Sequence, residues 1–162
     1  MAEVVHASLE TVFPEITEGL DANHLIGELL RREYPYRPEE SGTVLVLSGY
    51  DPGTDASLQS HDLVIFEVGE PVQVDGNMRA WVWRFPLTLN VLGMNPERAA
   101  KIMRHLTRVV ASWAFNGTVP DVGAISRVVE NPVGHRRSSD LSTSKRVSAW
   151  VSDKVLEAHS PH

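Results

Sequence analysis

The chain contains no cysteine. That excludes disulfides, thiolate nucleophiles and cysteine-based zinc sites together, and it fits a protein made and kept in a reducing compartment. It contains no run of about 18 apolar residues, so no segment reads as a membrane-spanning helix. Met1–Glu10 lacks a basic region followed by an apolar stretch, so it does not read as a secretory signal. Three common motifs are also missing: the Gly-x-x-x-x-Gly-Lys phosphate loop, the Gly-x-Gly-x-x-Gly turn and the Gly-x-Ser-x-Gly nucleophile elbow. Positive charge is in deficit, with 15 Lys and Arg against 21 Asp and Glu, a formal charge of −6 and a pI near 5.6. Wrapping nucleic acid depends on neutralising phosphates, so an acidic chain is a poor candidate for it.

What remains is an ordinary globular composition. The chain has 162 residues, of which 42% are apolar and 22% charged, the size and make-up of one domain with its own core. No internal repeat or Gly/Ser linker divides it, so residues 1–162 read as a single domain with a frayed C-terminal tail from about residue 158.

Hydrophobic spacing places the elements. Asp21 suits a helix N-cap, and Ala22, Leu25, Ile26, Leu29 and Leu30 follow on one helical face until Tyr34-Pro35. Thr43–Ser48 and His61–Val68 read as strands. Asp75-Gly76 signals a turn between the second strand and the third. Trp81, Trp83, Phe85, Leu87, Leu89 and Val91 alternate with wetter residues, the mark of a strand with one buried face. Pro86 inside that strand cannot donate to a ladder and predicts an edge position or a bulge.

Asn95-Pro96-Glu97 opens a second helix, with Ala99, Ile102, Met103, Leu106, Val109, Val110 and Trp113 as its apolar stripe and Asn116-Gly117 as its stop. Ala124–Glu130 and Lys145–Leu156 read as two more strands, separated by the polar loop Asn131–Ser144. The predicted fold is α+β, in the order α-β-β-β-α-β-β. It has a largely antiparallel or mixed sheet covered on one face by two helices.

Chemistry is sparse. The seven histidines are scattered; His105 lies on a helix without a second His or a carboxylate at i+3 or i+4, and His24 has a single carboxylate, Glu28, at i+4, too few ligands for a metal site. Asp51-Pro52-Gly53-Thr54-Asp55 lacks the alternating ligands and closing Glu of a calcium loop and reads as an Asp-capped turn. Trp81 and Trp83 read as core rather than as a base-stacking platform. No cofactor, metal or catalytic residue is expected. One charged feature stands out: Arg98, Lys101, Arg104, His105 and Arg108 form a basic stripe on the second helix of an acidic protein. Opposite patches on one subunit favour head-to-tail contacts with copies of itself, which makes these five residues candidates for a subunit interface.

The segment from Ala80 to Leu156 resembles the tail terminator proteins of long-tailed bacteriophages. The resemblance is carried by the strand Trp81-Val82-Trp83-Arg84-Phe85-Pro86-Leu87-Thr88-Leu89-Asn90-Val91 and the helix opening Asn95-Pro96-Glu97-Arg98-Ala99-Ala100. It continues in Ile125-Ser126-Arg127-Val128-Val129-Glu130-Asn131-Pro132 and Ser144-Lys145-Arg146-Val147-Ser148-Ala149-Trp150-Val151.

The resemblance implies a non-catalytic virion protein. Such a protein caps the tail tube as a homo-oligomeric, hexameric ring, ends tube polymerisation and forms the head-tail joining surface. It implies tail tube protein and a head-completion (stopper) protein as partners, DNA passing through the ring without specific binding, and no membrane. It places the protein in the host cytoplasm during assembly and at the head-tail junction of the virion. Loop length and charge, not the family, nominate Asp51, Asp55, Arg136 and Arg137 as partner-contacting residues. Two alternatives stay open: another phage neck protein, such as a head-completion or connector subunit, and a small cytosolic enzyme with a site assembled in space.

Overall fold

The computed structural model describes residues 19–49, 57–74, 82–130, 136–137 and 147–160. Among these residues two helices, α1 (Ala22–Glu33) and α2 (Pro96–Asn116), accompany eight strands. These are β1 (Val44–Ser48), β2 (Asp62–Val68), β3 (Val72–Gln73), β4 (Val82–Gly93), β5 (Thr118–Val119), β6 (Gly123–Glu130), β7 (Arg136–Arg137) and β8 (Ser148–His159). The fold is α+β with a mixed sheet. The element order is richer than the seven elements expected from the sequence, because β3, β5 and β7 are two-residue strands too short to leave a hydrophobic period.

Both helices start on side-chain caps. The Asp21 carboxylate accepts from the His24 backbone N–H at 3.0 Å, and Asn95 Oδ1 accepts from the N–H groups of Glu97 and Arg98 at 3.0 and 3.2 Å. These caps satisfy donors that have no partner inside the helix. At the other end of α2, the Gly117 N–H donates to the Trp113 carbonyl at 2.8 Å.

The sheet runs β1-β2-β4-β8-β6-β5, with β3 adding to β4 and β7 to β8. β1 and β2 are parallel; the other pairs are antiparallel. β4 and β8 pair from Val82–His159 to Gly93–Ser148 and form the centre.

Two expectations need correction here. β4 is central rather than an edge, yet Pro86 is accommodated without a bulge in the β4–β8 register. Its carbonyl accepts from the Gly69 N–H at 3.0 Å, so its missing donor faces the gap between the end of β2 and the start of β3. The tail is not frayed at residue 158: Ala158 is fully buried and pairs with both Trp83 and Ile125.

The main core joins Leu25, Ile26, Leu29 and Leu30 of α1 and Met103, Leu106, Val110 and Trp113 of α2 to Phe66, Phe85, Leu87, Leu89, Val91 and Leu156 of the sheet. A smaller cluster joins Leu45, Leu63, Ile65, Leu92 and Ala149, strand positions of the opposite parity, to Leu58 in the turn before β2. The turn Asp75-Gly76 and the residue Trp81 lie outside the described residues.

Candidate interaction surface

α2 carries its residues on ridges set by helical spacing. Ala99, Met103, Leu106, Val110 and Trp113 form the buried ridge. On the outer side, Lys101, Arg104, Arg108, Ala111 and Phe115 repeat at intervals of three and four and are all exposed. Beside that ridge stand Arg98 and His105, two turns apart.

The structure separates the five stripe residues into two groups. Arg98 Nη2 reaches Asp62 Oδ2 at 2.5 Å and the Gly42 carbonyl at 3.2 Å. Asp62 opens β2 and its side chain is only 6% exposed. A carboxylate sits there because β4 offers no side chain opposite: a Cβ on Gly93 would lie 2.6 Å from Asp62 Oδ1. Burial pushes the Asp62 carboxyl above the usual carboxylate range, an effect the nearby Arg98 guanidinium opposes but does not overcome.

His105 makes the second inward tie. Its Nε2 lies 2.7 Å from Glu33 Oε1 at the end of α1, and its ring meets Tyr34 edge-on at 5.9 Å and 81°. The Tyr34 hydroxyl is buried with no hydrogen-bond partner. Burial, aided by the neighbouring Glu33 charge, pushes that phenol up to about 12.

Lys101, Arg104 and Arg108 differ from both. They are exposed and form no ion pair among the described residues. With Asn95, Glu97 and Ala100, two of them line a shallow depression at the start of the helix.

The loop candidates fare differently from one another. Asp51 and Asp55 lie outside the described residues. Arg136 and Arg137 form β7 and clip onto β8. Arg136 Nη1 donates to Asp153 Oδ2 at 3.3 Å, Arg137 Nη2 donates to Ser148 Oγ at 3.3 Å, and the Arg137 guanidinium stands 5.9 Å from the Trp150 ring. Their polar contacts go to the sheet, so they do not join the α2 ridge.

Phe115 is the residue the sequence reading missed. It is 94% exposed, the most exposed large apolar side chain among the described residues. It sits seven residues after Arg108, on the polar side of the helix. An aromatic at an outward helical position was the available signal.

Among the described residues no group of three or more His, Asp or Glu side chains is arranged to hold a metal, and no helix is long and apolar enough to cross a membrane. Comparison with models of known protein families and with curated proteins finds no match to this chain.

Proposed function

We propose that this protein is a non-catalytic structural subunit that assembles with copies of itself as a phage tail terminator. In this reading the two helices form a layer on one face of the sheet and present a binding ridge outward. A ring of subunits caps the tail tube, ends its polymerisation and offers the joining surface to a head-completion protein. DNA crosses the ring without being gripped, which suits a subunit of net charge −6.

The observation that carries the assembly part is the outer ridge of α2. Three cations there form no ion pair among the described residues, and an aromatic side chain stands in solvent at their end. Isolated exposed charges are common, but a fully exposed phenylalanine in line with them is the composition of a contact surface, since aromatics and arginines dominate binding energy at interfaces. The terminator identity rests on the resemblance between Ala80 and Leu156.

Negative-stain imaging and light scattering of the purified protein, with and without tail tubes, test the reading. Rings, free or seated on tube ends, are expected. Replacing both Arg104 and Arg108 by Glu is expected to abolish them while leaving the monomer folded. A strict monomer at high concentration, with nothing bound to tube ends, overturns the assignment. Rings that bind a head-side protein but ignore tubes move it to another neck role.

A further inference from the structure

The sheet side facing away from the α2 core carries, beyond the part occupied by the smaller core cluster, an exposed surface that complements the α2 ridge. Pro86, Val155 and Val129 are cross-strand neighbours on β4, β8 and β6. Their chain neighbours Phe85, Leu87, Leu156 and Val128 belong to the main core, so alternation turns these three the other way. All three are exposed, Val129 by 38% and Val155 by 36%. Val72, 60% exposed, continues the apolar area at the adjoining row, where it pairs with Arg84. Glu67, opposite Thr88, lies on the same side, is exposed and has no ion-pair partner among the described residues.

We propose that the occupant of this sheet face is the α2 ridge of a second copy, with Phe115 seated on the Pro86–Val155–Val129 row and Arg108 facing Glu67. The inference rests on the self-assembly reading and names both of its surfaces. Spacing agrees. Seven helical residues separate Phe115 from Arg108, about 10 Å along the axis. Glu67 lies one row along the strands from the apolar row, about 8 Å from Pro86 and about 12 Å from Val155 by strand geometry. Charge supplies one pairing, Arg108 with Glu67: the ridge from Lys101 to Phe115 carries cations, with Glu97 one turn before it, and Arg84 and Arg127 on the other flank of the row are already engaged by Glu157.

The ridge and the row lie on opposite sides of the sheet, so one molecule cannot bring its own together. The contact is therefore head-to-tail, and each copy keeps one surface free for the next.

The absence of native cysteine makes the test clean. Phe115→Cys and Val155→Cys change exposed positions and are expected to fold as the parent. Treated separately with a short bismaleimide, each is expected to run as an uncross-linked chain on a denaturing gel; mixed, they are expected to give a cross-linked dimer. Phe115→Asp is expected to weaken self-association by roughly thirtyfold, the size of a lost hot spot.

Phe115→Cys coupling to itself overturns the proposal in favour of a two-fold contact. Coupling to tail tube protein instead makes the tube the occupant and also overturns it. Wild-type rings without the mixed cross-link sink this interface and spare the assembly reading. The mixed cross-link without rings keeps the interface and sinks the ring. Absence of both sinks both.

Discussion

Two kinds of cation share the exposed side of α2. Arg98 and His105 are spent within the molecule, one on the buried Asp62 and the other on Glu33 at the end of α1. Lys101, Arg104 and Arg108, interleaved with them, touch no acid among the described residues. The first pair fastens α2 to its surroundings; the other three are those proposed to meet a second copy. Charge on a helix face is thus not a single property. It divides by a few tens of degrees around the axis, according to whether a neighbouring element reaches up to meet it.

The buried ridge sets the scale for attempts to break this comparison. Leu106→Ala, at a fully buried site, is expected to cost about 2–5 kcal/mol in chemical unfolding. Arg98→Ala comes next, at roughly 2–3 kcal/mol, because it strips a buried carboxylate of its charged donor; the half-exposed guanidinium keeps the loss below that of a fully buried pair.

The same pair has a pH signature. Asp62 holds its proton to higher pH in the fold than in the unfolded chain. Its contribution is therefore complete below about pH 4 and fades as pH rises through its raised folded value. Urea midpoints measured across that acid range should show the decline in the parent and lose it in Asp62→Asn.

Smaller effects sharpen the division. Tyr34→Phe removes a buried hydroxyl that bonds to nothing and is expected to stabilise by about 1 kcal/mol. It should also remove a loss of stability at high pH, since the unfolded phenol ionises near 10 and the folded one near 12. Smallest of all on the fold is the double change of Arg104 and Arg108 to Glu, expected within ~0.5 kcal/mol by thermal melting. If that double variant destabilises as much as Arg98→Ala, the distinction between fastened and free cations collapses.

How much of this was legible in the sequence depends on the range of the interaction that made it. The helices were readable because their caps and apolar stripes are local: Asp21, Asn95-Pro96 and the Leu106 ridge all act within a few residues. The β4 alternation was readable for the same reason. Pro86 misled, because the gap that tolerates it belongs to β2 and β3. The end of β8 was missed because Ala158 is held by Trp83 and Ile125, both distant in the chain.

At the site, the basic stripe was legible as a pattern of spacing. Its division was not, since Asp62 and Glu33 lie 36 and 72 residues from their partners. Phe115 was hidden among apolar neighbours and stood out only once the helix had a wet side.

The position of β8 has a consequence for the order of folding. It is the latest of the eight strands in sequence, yet it stands between β4 and β6 and links one half of the sheet to the other. Until β8 enters, β1-β2-β4 and β6-β5 are separate ribbons with open edges. Its pairing with β4 also closes a long loop, as in Thr88 with Asp153, 65 residues apart. Such contacts form slowly, on the order of milliseconds to seconds. During that interval β4 and β6 offer bare edges to any neighbour, so a crowded preparation of folding chains is where exchange of β8 between copies should first appear.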